Sequence, residues 1–264
     1  MTALRIFPDA DALGAALAVE IVTGMTEAAR EGRRYLLGCP GGRSLISTYL
    51  AVAARLRVAP MDLAHVVIVM MDDYLDDTPG PARRVPVEVL HSCERFGRRQ
   101  IAEPWNRAVG SRPGVPADQV WLPDPLDPAG YDERIAAAGG VDLFLLASGA
   151  SDGHVAFNPP GSDIADGTRV IALADTTRRD NLATFPHFAA LDKVPRRGVS
   201  VGPATIARLS RRVRLVATGP AKAASVARVL AVRRWQADWP ATLVHACHNG
   251  ELWTDRAAVA VLSP

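Results

Sequence analysis

The sequence predicts an α/β fold: a single doubly wound, Rossmann-like, mostly parallel sheet with helices on both faces, occupying residues 1–264 as one unit. Three observations carry this reading. Short, nearly continuous apolar runs at 35–39, 65–71 and 143–147 have the character of strands covered on both faces, and 212–217 reads as a further strand. Each run breaks abruptly into glycine, aspartate or other small residues, and helix-forming segments follow or intervene. No proline- or serine-rich linker, internal repeat or low-complexity tract divides the chain.

In order, residues 4–7 form a short strand, and Asp9 or Asp11 caps a helix through 29. Residues 35–39 (YLLGC) make the first central strand, which runs into PGGRS and a helix over 45–56. The apolar run 65–71 is the next buried strand. A loop rich in proline, glycine and charge covers 76–84, an amphipathic helix 85–101, and an irregular stretch 105–118. A short strand at 120–122 precedes a helix at 128–138 with proline in its first turn. Residues 143–147 form the central strand and 168–173 another. A mobile polar segment lies at 175–186 and a strand-turn-helix unit at 199–209. The chain ends with a strand at 212–217, a helix at 223–232, a segment at 242–246, a last strand at 251–253 and a short helix from 255.

Composition narrows the function classes. A formal net charge of +2 gives no electrostatic case for nucleic acid as the main partner. Three cysteines, odd in number and widely spaced at 39, 93 and 247, argue against a disulfide framework or a zinc knuckle and for a reducing, cytoplasmic compartment. The N-terminus lacks a basic leader before an apolar core, and no later segment reads as long enough to span a bilayer, so no membrane partner is expected.

Chemistry concentrates where strands end. In open α/β sheets the loops after the strands' C-terminal ends share one rim, which would gather those after Cys39, Met71, Ala147 and Ala217. After Ala147 the chain reads SGASDGHVAFNPPGS, in which Asp152 and His154 flank Gly153. A carboxylate there can hold the imidazole in one tautomer and free its other nitrogen to move a proton; the same residues also suit an ordinary turn with a solvated histidine. Gly41, Gly42, Arg43 and Ser44 join a strand to a helix start, where converging N–H groups, a hydroxyl and a guanidinium suit an anion, although glycine pairs also make plain turns. The turn is neither a Walker loop nor a dinucleotide fingerprint. Asp72 and Asp73 end the second buried strand; such acids either cap a helix or present a desolvated carboxylate able to take a proton from carbon. Lys222 opens a further helix as a point charge for phosphate or as a solvated lysine.

These strings together resemble the family of glucosamine-6-phosphate deaminases (isomerases) and the related 6-phosphogluconolactonases. SDGHVAFNPPGS is similar to the deaminases' DGHIAFNEPGS, PGGRS at 40–44 to their TGGTP-like loop, MDDYL at 71–75 to MDEY, and GPAKA at 219–223 to GxxKA. The Phe157-Asn158 pair and an RxxN at 178–181 lean to the deaminase branch. Arg43 and VPRRGVSV at 194–201 lean to the lactonases. The resemblance implies a doubly wound fold and a cofactor-independent, metal-free isomerisation of an amino-sugar phosphate with loss of ammonia. Asp72, Asp152 and His154 would be catalytic, Gly41–Ser44 and Lys222 would hold phosphate, and Asp73, Gly153, Asn158 and Arg178 would sit at the substrate or its lid.

The chain departs from the deaminase pattern at three places. Pro159 stands where the deaminases have glutamate, Ala183 where their lid has arginine, and Ile171 where allosterically regulated members often have lysine. Hydrolysis of 6-phosphogluconolactone, with His154 activating water, and a silent sugar-phosphate sensor are the competing expectations. Oligomers are frequent among such relatives, so a homo-oligomer is compatible with the resemblance.

Overall fold

The structure, a computed structural model, describes residues 2–260. The chain begins β1 (Ala3–Phe7), α1 (Ala10–Arg30), β2 (Tyr35–Cys39), α2 (Ile46–Val58), β3 (Val66–Met70), β4 (Asp72–Tyr74) and α3 (Cys93–Phe96). A wide π-helical stretch over Gly97–Ala102 leads into α4 (Glu103–Val109), β5 (Val120–Trp121), α5 (Pro128–Ala137) and β6 (Leu143–Ala147). It continues with β7 (Arg169–Ala172), α6 (Asp175–Thr184), β8 (Arg197–Ser200), α7 (Pro203–Leu209), β9 (Val213–Ala217), α8 (Ala223–Leu230), β10 (Gly250–Asp255) and α9 (Arg256–Ala260).

Seven strands form one parallel sheet in the order β1-β10-β9-β6-β2-β3-β5. Alternation along each strand builds two cores. Tyr35, Leu37, Ile68 and Leu145 face one way and pack with Leu17, Ile21 and Met25 of α1, Tyr49 and Val52 of α2, and Trp105. Leu36, Val67, Val69, Phe144 and Leu146 face the other way and meet Ile135 of α5, Ile206 of α7, and Val226 and Val229 of α8. The doubly wound expectation holds for this sheet.

A second sheet departs from the expectation of one parallel sheet. β4, β8 and β7 pair antiparallel, with Asp72 opposite Ser200 and Arg169 also opposite Ser200 on the other side. The chain leaves the main sheet directly after Met70, so Asp72–Tyr74 needs new partners for its backbone, and β8 supplies them.

Four local expectations change. The helix expected at 85–101 begins only at Cys93, where the Ser92 hydroxyl accepts from Arg95 N at 3.2 Å. Upstream, Val85 N is committed to Tyr74 O at 2.9 Å, and a proline follows. Helix then continues to Val109 through residues expected to be irregular, because Trp105 is fully buried with its N–H on Tyr49 O. Pro104, which has no N–H to give, is reached through the π-helical stretch. The polar segment at 175–186 is helical as α6, and α1 does have the length and mean hydropathy (1.3) of a membrane span. Leu13, Leu17, Ile21 and Met25 of α1 are spent on the core.

Candidate active site

A cavity of 320 Å³ opens where β2, β3, β6 and β9 end. Gly41, Gly42, Arg43 and Ser44, Asp72, Ser148 to Ala150, His154 and Lys222 line it, so four distant junctions meet on one rim. α6 closes one flank with Asp180, Asn181, Thr184 and Phe185; the loop before α3 closes another with His91, Ser92 and Cys93.

The glycine turn is shaped for an anion. Gly42 takes φ +87°, and Leu45, which precedes α2, makes no side-chain cap bond, while Ile46 N closes back onto Arg43 O at 3.3 Å. Arg43 is exposed and makes no ion pair among the described residues. Lys222 ends a short 3-10 turn ahead of α8, and its ammonium donates to Ser148 O at 2.5 Å. Burial lowers its pKa, as does nearby Arg43, against the favourable charge of Asp180. A second anion-seeking cation beside a partly dehydrated lysine is how a phosphate group gains charge-assisted contacts.

Asp72 and Asp73, adjacent in sequence, point to different tasks. Asp73 is fully buried and accepts from Tyr74 N and Cys93 N at 2.9 Å and from Glu94 N at 3.4 Å, capping the first turn of α3. Asp72 lines the cavity yet is only 6% exposed, and its side chain has a single hydrogen bond among the described residues, from the Cys93 thiol at 3.3 Å. Burial pushes its pKa up to about 7; the Asp73 charge adds to the rise and the thiol opposes it.

Asp152 and His154 form the paired unit. His154 Nδ1 lies 2.7 Å from Asp152 Oδ1, which also accepts the His154 backbone N–H at 3.0 Å, and the Thr176 hydroxyl donates to Asp152 Oδ2. Burial works against ionisation of Asp152, but the bonds from His154 and Thr176 overcome it and hold this carboxylate well below its usual range. With Nδ1 as donor, Nε2 presents a lone pair on the cavity side.

Four expected substrate residues lie behind the wall instead. Asp73 serves α3 as described. Gly153, at φ +69°, packs under Trp239. Asn158 is 1% exposed, donates to Val155 O and Val201 O, and accepts from Arg169. Arg178 turns inward to Asp175 and to the carbonyls of Leu191 and Val194. A buried amide or guanidinium goes to the unsatisfied carbonyls beside it, and here those belong to loops that shape the site. Pro159 is likewise absent from the lining.

The cavity also holds residues that sequence reasoning missed. Asp180 and Thr184 on α6 and Phe185 at its C-cap line the cavity beside Asn181 of the expected RxxN, a periodicity readable once the segment is taken as helical. His91 and Cys93 carried no such signal. His91 Nδ1 is 3.1 Å from His187 Nε2, and burial, with the neighbouring His187, lowers the His91 pKa to about 4. Among the described residues, Asp152, His154 and Asp180 bring potential metal-ligand atoms within 4.8 Å of one another, with Asp152 already occupied by His154 and Thr176.

The chain is similar to known proteins over most of its length. The model of the family described as glucosamine-6-phosphate isomerases/6-phosphogluconolactonase matches residues 8–253. A glucosamine-6-phosphate deaminase of Beutenbergia cavernae is 33% identical over 259 residues, 97% of this chain and 91% of that one. One from Streptomyces coelicolor is 33% identical over 228 residues, 84% and 78% of the two chains. Among solved structures, a monomeric glucosamine-6-phosphate deaminase superposes with a TM-score of 0.83 at 20% identity, covering 98% of this chain and 99% of that chain. The 6-phosphogluconolactonase of Trypanosoma brucei superposes with a TM-score of 0.70 at 20% identity, covering 100% and 99%. By the family match over nearly its whole length, the chain belongs to the glucosamine-6-phosphate isomerase/6-phosphogluconolactonase family of enzymes.

Proposed function

We propose that this enzyme converts glucosamine 6-phosphate, or a close amino-sugar phosphate, to the ketose phosphate and ammonia. The observation that carries the reading is one cavity holding a desolvated carboxylate, Asp72, and an oriented imidazole, His154, beside the glycine turn and Lys222. The deaminase relatives at 33% identity support it.

The phosphate docks against the Gly41–Ser44 turn, with Arg43 and Lys222 as counter-charges, so that binding energy far from the reacting carbons positions them. His154 takes the proton of the anomeric hydroxyl through Nε2 and returns a proton to the ring oxygen, breaking the C1–O5 bond and leaving the open-chain aldehyde. Asp72 removes the proton from C2, giving an enolate with its charge on O1 and the amino group still on C2. The same carboxyl returns that proton to C1, forming a C2 iminium that passes one N–H proton to O1 and becomes the imine. Water adds at C2 and ammonia departs, leaving the ketose. Asp72 begins and ends ionised, and a pKa near 7 suits both halves of the transfer. The partner is thus a small sugar phosphate in the cytoplasm. The formal net charge of +2 and the free, buried thiols of Cys39 and Cys93 support that setting.

One observation favours a second reading. Arg43 on the glycine turn, together with Pro159, suits hydrolysis of 6-phosphogluconolactone, in which His154 activates water and no C2 base is used. The test is ammonia release from glucosamine 6-phosphate beside lactone hydrolysis, for wild type and Asp72→Asn. Ammonia release reduced by about 10²–10⁴-fold in the variant supports deamination. Lactone turnover that survives Asp72→Asn, without ammonia release by wild type, transfers the assignment to the hydrolase. Binding of the sugar phosphate without any turnover leaves a sensor.

A further inference from the structure

The loop that closes one flank of the cavity brings a thiol to the base. Cys93 opens α3, and its backbone N–H is tied to Asp73 Oδ1 at 2.9 Å while Ser92 caps the same turn. This double anchor fixes where the side chain points: Cys93 Sγ lies 3.3 Å from Asp72 Oδ1, 5% exposed and on the cavity wall. Oδ1 has no other hydrogen bond among the described residues, and Oδ2 has none. A buried carboxylate with one donor is free to turn about its last torsion unless that donor holds it.

We propose that Cys93 is a positioning residue: its thiol holds Oδ1 of Asp72 and so presents Oδ2 to the substrate carbon. The proposal rests on Asp72 being the base of the proposed reaction. An S–H is a weak donor, which suits the task, since a strong one would stabilise the carboxylate and blunt it as a base. The contact costs Cys93 little, because burial and the two neighbouring carboxylates keep the thiol protonated. A purely space-filling role would leave the ionisation of Asp72 unchanged when the thiol is removed.

The charged and titratable groups around Asp72 are Asp73 and Tyr74 on its own strand, Cys93 on α3 and Tyr131 on α5; Arg43, His91, His154, Asp180 and Lys222 share its cavity. Among the described residues only Cys93 donates to it. In Cys93→Ala the acid limb of kcat/KM for ammonia release is expected to move up by about half to one pH unit, with kcat down about fivefold and KM unchanged. Cys93→Ser, which restores a donor, is expected to bring the limb back towards wild type. An unmoved limb in both variants overturns the proposal.

A second measurement needs no turnover. The infrared S–H band present in wild type and absent from Cys93→Ser belongs to Cys93. It is expected to shift as Asp72 titrates and to lose that pH dependence in Asp72→Asn. A band indifferent to pH and to Asp72→Asn overturns the contact. Wild-type protein that turns over neither sugar refutes the reaction, while this band still decides on the thiol.

Discussion

At the residue scale, Asp72 shows how one desolvated group links activity to stability. Its carboxyl must be ionised to take a proton, so kcat/KM for deamination is expected to fall about tenfold per unit as pH drops below about 7. Stability runs the other way. With a folded-state pKa near 7 against 3.8 unfolded, the native state binds the extra proton between those values, so stability falls as pH rises from about 4 to 7. Asp72→Asn, which keeps an acceptor for the thiol, is therefore expected to be inactive in deamination. It should be more stable than wild type at pH 8 by on the order of 1–3 kcal/mol in urea titrations. His91 adds a slope of opposite sign: its folded pKa of about 4 lies below the unfolded 6.5, so its contribution is lost as pH falls through that window. Because the two slopes oppose each other, His91→Gln is expected to make the melting temperature fall more steeply as pH rises from 4 to 6.5, as followed by circular dichroism. Asp72 was legible as a candidate because a buried strand ended on it; which of two adjacent acids faced the cavity was not. Alternation only says that neighbours point apart, and the α3 N-terminus, twenty residues on, decides which one it claims.

At the element scale, the four strand-to-loop junctions were readable because apolar runs and the residues that end them are adjacent in sequence. β2 adds a packing constraint of the same local kind: Gly38 lies opposite Phe144 of β6, and a Cβ there would stand 2.4 Å from that ring. Gly38→Ala is expected to destabilise by about 1–3 kcal/mol, seen as a lower urea midpoint with unchanged slope. α3 and α6 were the elements misread. α3 is short and starts where its cap and Asp73 allow, not where amphipathic spacing begins. α6 is polar, held by Thr176 on Asp152, Asp180 on Ala150 and Ser151, and Arg178 on two carbonyls, so no apolar stripe announces it.

At the scale of the whole molecule, an ion network ties α1 to β9 and β10 on the face of the sheet that it covers. Arg214 of β9, 7% exposed at its side chain, pairs with Glu20 of α1 at 2.7 Å and reaches Glu251 of β10 at 3.6 Å; Arg212 and Arg5 join the same acids. Removing Glu20 leaves buried Arg214 with only the longer contact to Glu251, so Glu20→Ala is expected to cost about 1–3 kcal/mol, seen as a lower melting temperature by calorimetry. The same network explains why α1, apolar and long enough for a membrane span, is a core helix: its polar face carries the acid that Arg214 needs. By itself the sequence determined the alternating α/β order, the parallel core strands and the rim on which Gly41–Ser44, Asp72, Asp152–His154 and Lys222 meet. Those features follow from the period of apolar residues and from what ends each run. Tertiary structure alone decided the antiparallel β4-β8-β7 sheet, the inward turn of Asn158 and Arg178, and the thiol and histidine beside the cavity. A polar side chain's direction depends on which donor or carbonyl from elsewhere in the chain is left unsatisfied near it, and that is set only when distant segments pack.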